Sequence, residues 1–137
     1  MLARTPAYIV AALLGAASLA ACGLGGRAYD PPPEDAAAVV NMTHGFGFDP
    51  EEVVVPRGAT VEWRNRSFFT HTVTADPARV KDPVHAQLPA GAEPFHSGRL
   101  RAGSVFRHTF EVPGTYEYVC LPHEGRGMRG RVRVLEE

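Results

Sequence analysis

The chain has 137 residues, room for one domain, with 45% hydrophobic and 21% charged residues and a formal net charge of -1 from 14 basic against 15 acidic side chains. That balance excludes a nucleic-acid binder with a large positive field, and it excludes a disordered acidic chain. Glycine and proline contribute 14 and 12 residues, a high share for a helical protein.

Residues 1–21 read as an export signal. Arg4 is followed by an apolar stretch from Tyr8 to Ala21, too short for a membrane span of about twenty residues. It ends in Leu19-Ala20-Ala21-Cys22, which resembles the bacterial lipoprotein cleavage box. That resemblance implies cleavage before Cys22 and lipid on its thiol and amine. An ordinary Ala-x-Ala signal or an uncleaved N-terminal anchor are the alternatives, and all three export the protein. Residues 22–35 are Gly- and Pro-rich, with Pro31-Pro32-Pro33 at their centre, and read as a spacer off the membrane. The folded domain is expected over residues 36–137.

From Ala36 the pattern is all-β. Short β-branched or aromatic runs alternate with turn residues, and no run has a 3.6-residue period. The expected strands are Ala38–Met42, Val53–Val55, Thr60–Arg64, His71–Ala75, Val105–Phe110, Thr115–Cys120 and Arg131–Leu135. Val61 and Trp63 should face one way and Glu62 and Arg64 the other. Phe106, His108 and Phe110 should share a side, as should Tyr116, Tyr118 and Cys120, while Val132 and Val134 point inward. Seven strands at this spacing predict a Greek-key, two-sheet β-sandwich. Residues 76–94 break the rhythm with four prolines and read as a functional loop or an insertion.

The chemistry lies near the C-terminus. Cys120-Leu121-Pro122-His123-Glu124-Gly125-Arg126-Gly127-Met128 brings a thiolate, an imidazole and a thioether within nine residues. One more strong ligand is needed, and His71 is the best candidate. Two His, one Cys and a weak Met form the set expected of a blue-copper electron-transfer centre. Zinc prefers a closed tetrahedral site without Met. Taken alone, the spacing also fits a core Cys, a surface His and a packing Met.

The sequence resembles the cupredoxins of the plastocyanin, pseudoazurin and halocyanin group over about Val39 to Leu135. The matching phrases include Gly58-Ala59-Thr60-Val61-Glu62-Trp63-Arg64-Asn65, His71-Thr72-Val73, Phe106-Arg107-His108-Thr109-Phe110, Pro113-Gly114-Thr115-Tyr116-Glu117-Tyr118 and the Cys-x-x-His-x-x-x-x-Met loop. The loop spacing matches plastocyanin and pseudoazurin rather than amicyanin or azurin. The resemblance implies one copper ion held by His71, Cys120, His123 and Met128. Relatives commonly have Asn after the first His, tying the two ligand loops together; here Thr72 offers a hydroxyl instead. Val119 replaces the exposed aromatic residue of plant plastocyanins, and Arg126 and Arg129 flank Met128, which argues against a partner that docks by an acidic-patch mode.

The other histidines have plainer readings. His108 should pack between Phe106 and Phe110, His96 should serve a turn, and His44 and His85 should face solvent. A second metal site from His85 and His96 is the sharper alternative. Tyr116 and Tyr118 read as sheet packing and Arg131 and Arg133 as a solvated face.

The expected function is a lipid-anchored, monomeric electron carrier outside the cytoplasm. It would exchange electrons with a cytochrome, oxidase or reductase through the edge of His123, which apolar neighbours bring to the surface. The alternatives are a copper-delivery protein on the same fold and a non-redox binding sandwich. One domain and a single metal cluster argue against an enzyme. An even cysteine count first suggests a disulfide, but lipid on Cys22 leaves Cys120 a lone thiol, which copper ligation would protect.

Overall fold

A computed structural model of the chain describes residues 34–137. The export signal, Cys22 and nearly all of the spacer lie outside them. Nine strands and two 3-10 turns make up the domain, in the order β1 (Ala38–Met42), β2 (Phe48–Asp49), β3 (Glu52–Pro56), β4 (Thr60–Asn65), β5 (Thr74–Ala75), a 3-10 turn at Pro83–Ala86, β6 (Phe95–His96), β7 (Val105–Thr109), β8 (Gly114–Val119), a 3-10 segment at Leu121–Arg126, and β9 (Arg129–Leu135). One sheet has the order β2-β1-β4-β7 and the other β3-β9-β8-β5-β6. The pairs β1–β4 and β3–β9 are parallel and the rest antiparallel.

Alternation in the sequence becomes the core. Val53 and Val55 of β3 point inward while Val54 stays exposed, and β9 buries Gly130, Val132 and Val134 between exposed arginines. Trp63 is fully buried, edge-on to Tyr118 at 5.4 Å and close to Phe106 and Phe110 at 5.7 and 6.3 Å. His108 is half-buried and stacks on Phe95 at 4.0 Å. Tyr116 packs inside and donates its hydroxyl to Val112 O at 2.6 Å.

Four local departures from the sequence expectation have physical causes. Glu62, on the face opposite Val61 and Trp63, is buried as they are, because its carboxylate accepts from the Nε of Arg64 beside it and of Arg107 across the β4–β7 pair. The two-residue strands β2 and β6 are too short to show a period of two. The stretch His71–Ala75 is a ladder only at Thr74–Ala75. His71 pairs with Leu100 as a single bridge, Val73 N–H goes to Ser97 Oγ at 2.8 Å, and Thr72 N–H goes to Cys120 Sγ at 3.4 Å. His85 is not solvent-facing: it bonds Glu124, as described below.

The 76–94 segment is packed. Asp82 caps the turn at Val84 N, Pro83 opens it, and Gln87 O accepts from Glu117 N at 2.9 Å, occupying the flank of β8 that short β5 leaves open. Ala86 is fully buried, as is Val119 of β8.

Gly130 lies opposite Tyr118 in the β8–β9 register, and a Cβ there would collide with the Tyr118 ring. Replacing Gly130 by Ala must move that ring or the strand, at a cost of about 1–3 kcal/mol. Thermal unfolding should show a midpoint lowered by several degrees; an unchanged midpoint would mean that the strands part freely.

Candidate metal centre

Two loops at one end of the sandwich deliver the polar cluster. The first runs from β4 into β5 and is organised by Asn65. Its Nδ2 donates to Phe69 O at 2.7 Å and Leu100 O at 3.0 Å, and its Oδ1 accepts from Ser67 N and Ser67 Oγ at 2.9 and 3.0 Å. Ser67 then reaches His71 Nε2 at 2.7 Å and accepts from Phe69 N at 3.1 Å. With Asn65 Oδ1 and Phe69 O both placed to take the Ser67 hydrogen, Ser67 Oγ can accept from a protonated Nε2 of His71, the tautomer that leaves Nδ1 a free lone pair.

The second loop begins where β8 ends. Pro122 lies in the first turn of the Leu121–Arg126 segment, His123 breaks that segment with φ -121° and ψ 17°, and Gly127 closes it with φ 77°. His123 N–H bonds Cys120 O, and Cys120 N–H bonds Met128 O, both at 3.0 Å, so the loop returns beside its own start. Thr72 joins the loops: its Oγ1 accepts from Leu121 N at 2.9 Å.

Together these contacts place His71 Nδ1 at 3.5 Å and His123 Nδ1 at 3.3 Å from Cys120 Sγ. The three donor atoms lie within 4.8 Å of one another. His71 and Cys120 are fully buried, His123 is half-buried, and Met128, fully buried, is drawn to the cluster through its backbone. Burial, and then the charges of His123 and His44, lower the His71 pKa from 6.5 to about 4. Burial likewise lowers that of His123, helped by Arg126. Cys120 has no disulfide partner among the described residues, and burial pushes its thiol pKa up. Two neutral imidazoles and a sequestered sulfur, all turned to one point, are a donor set that fits a soft or borderline transition metal.

The chain matches the family of copper-binding proteins described as plastocyanin/azurin over residues 35–135. It belongs to that family. Copper is accordingly its cofactor, and the donor set fits one ion. The plastocyanin of Scenedesmus fuscus is 34% identical over 88 residues, 64% of this chain and 85% of that protein. A chloroplastic plastocyanin of Physcomitrium patens is 36% identical over 89 residues, 65% of this chain and 51% of that longer protein. Among solved structures, an amicyanin variant in its reduced Cu(I) form superposes with TM-score 0.58 at 27% identity, covering 77% of this chain and 87% of that one. The cupredoxin sandwich is thus shared with both groups, and loop spacing alone does not set the structural neighbourhood.

The remaining histidines are engaged elsewhere. His96 bonds Thr74 Oγ1 at 2.8 Å and His85 bonds Glu124 Oε1 at 2.9 Å. Among the described residues neither joins a cluster of three or more metal-ligating groups. Several residues at this end escaped the sequence reading. Phe46, in the left-handed region at φ 57°, lays its ring 4.4 Å from that of His123, and Arg126 sits 4.7 Å over the same Phe46 ring. Phe69 stands 5.0 Å from Phe46, and Phe68 is 79% exposed. The adjacent Phe68-Phe69 pair, outside any alternating run, was the available signal. Ser67 gave none.

The lowered histidines set the sign of an acid effect on the metal-free protein. Between about pH 6.5 and pH 4 the unfolded chain binds protons that folded His71 refuses, so stability falls as pH falls through that window. Urea midpoints of the metal-free protein should drop from pH 7 to pH 5; a flat profile would show His71 free to ionise in the fold.

Proposed function

We propose that this cupredoxin carries single electrons between redox proteins outside the cytoplasm, held at a membrane by lipid on Cys22. In this reading His71, Cys120, His123 and Met128 hold the copper. The observation that carries it is the buried convergence of His71 Nδ1, Cys120 Sγ and His123 Nδ1, with an aromatic face beside the one half-buried imidazole. Copper bound there supplies a one-electron couple.

The chain's own part is to keep that site still and to give it one contact with the outside. Asn65 and Ser67 orient His71, Thr72 ties the loops, and the Thr72 N–H directed at Cys120 Sγ favours the thiolate. Met128, the soft thioether of the set, would tune the potential of the bound ion. A donor set held by this many fixed contacts suits exchange more than cargo release, which favours the carrier over the delivery reading. His123, against Phe46 and near Phe69, is the route of entry and exit, and a small apolar face suits short-lived redox encounters.

Optical and spin-resonance spectra of the copper-loaded protein test the centre. An intense blue band with a narrow hyperfine splitting is expected, abolished in Cys120→Ser; a colourless protein with an ordinary square-planar signal overturns the reading. Phe68→Ala should leave that spectrum unchanged yet slow electron exchange with a partner by up to about tenfold, the scale of losing one exposed aromatic contact. Unchanged exchange kinetics would place docking elsewhere.

A further inference from the structure

The 76–94 segment meets the metal loop through one side chain. Glu124 directly follows His123, yet it is only 3% exposed while Gly125, Arg126 and Gly127 after it are exposed. Its Oε1 accepts from Lys81 N at 3.1 Å, Asp82 N at 3.3 Å and His85 Nδ1 at 2.9 Å, and its Oε2 accepts from Lys81 N at 2.9 Å. A buried carboxylate is costly unless its oxygens are met by donors. Here two backbone N–H groups and an imidazole converge on it, at a bend that Asp82 and Pro83 impose locally. The segment is therefore shaped as a receptor for this one side chain.

We propose that the 76–94 segment buttresses the metal loop, and that Glu124 is the positioning residue through which it acts on His123 and Met128; this rests on the reading of those two as ligands. Each end of the Cys120–Met128 loop has its own tie. Thr72 holds Leu121, and Met128 O accepts from Cys120 N. Glu124 anchors the middle. Its backbone O accepts from Gly127 N at 3.0 Å, and the neighbouring His123 O accepts from Met128 N at 3.2 Å. Fixing the carboxylate therefore fixes the turn that sets the backbone of His123 on one side and Met128 on the other. Electron exchange is fast when ligands move little, so a clamp on this turn bears on rate as well as on stability.

The alternative is that Glu124 merely pins the segment and leaves the metal loop indifferent. Glu124→Ala, Glu124→Gln and His85→Ala separate the two. In metal-free protein, amide hydrogen exchange at Gly127 and Met128 should quicken about tenfold in Glu124→Ala. Glu124→Gln, which keeps a carbonyl oxygen for Lys81 N, should restore most of the protection. In copper-loaded protein, Glu124→Ala should broaden or shift the spin-resonance signal and slow self-exchange about tenfold. Unchanged amide exchange, spectrum and rate in Glu124→Ala would overturn the proposal. If that variant does not fold, His85→Ala decides, with smaller changes of the same direction expected and none overturning. A parent protein without the blue spectrum would refute the ligand reading instead, and the metal-free amide exchange would still test the clamp.

Discussion

The structure is arranged around a thiol that water does not reach. Cys120 lies at the end of β8, fully buried, with the Thr72 N–H at its sulfur and an imidazole nitrogen on either side. Burial raises the pKa of the bare thiol by more than the Thr72 N–H lowers it, so the fold alone does not make this sulfur a thiolate. A cation at the same point would. In that sense the sandwich is built for a charge it does not itself supply: it turns two neutral imidazoles and one N–H inward, and excludes solvent. The backbone gives up ladder bonds to do so. Thr72 and Val73 lie between the His71 bridge and the two-residue β5, and their N–H groups go to Cys120 Sγ and Ser97 Oγ rather than to a neighbouring strand. The interruption in that strand is where the sheet becomes a site.

Much of the frame was legible in the sequence because it obeys a period of two. Tyr116 and Tyr118, and Val132 and Val134, are separated by a polar residue and land inside. Reading failed where side chains follow local chemistry instead. Glu62 occupies an outward position and is buried all the same, since Arg64 and Arg107 close over it. That pairing joins two strands 45 residues apart and no local pattern announces it. The site divides in the same way. Cys120, His123 and Met128 stand within one short loop and His71 follows from the need for another donor. Ser67 and Asn65, which hold His71 by its Nε2, are ordinary loop residues until the chain is folded.

Residues 76–94 show what a one-dimensional reading can and cannot reach. Four prolines and lost alternation mark the segment as special. Its role depends on a contact 43 residues away in sequence, from Lys81 N to Glu124. Glu124 in turn looks like any exposed acid beside a glycine. Only the burial of the carboxylate, with its oxygens turned to backbone donors, distinguishes a built socket from a surface ion pair, whose contribution would be small.

Arg126 brings the electrostatics of the exposed end together. Its guanidinium lies over Phe46, whose other neighbours are His123 and Phe69. Lying on a ring face, the exposed Arg126 keeps its charge at the surface. The same charge disfavours a proton on His123, lowering its pKa in the direction that burial already sets. A neutral His123 can keep a lone pair on Nδ1, the nitrogen that faces Cys120. One arginine thus keeps the imidazole fit for a metal on its inner side and gives the outer side a positive mark. In the proposed carrier, a partner meeting this end would find aromatic rings with a cation at their rim, and charge at a rim acts mainly on encounter rate and orientation.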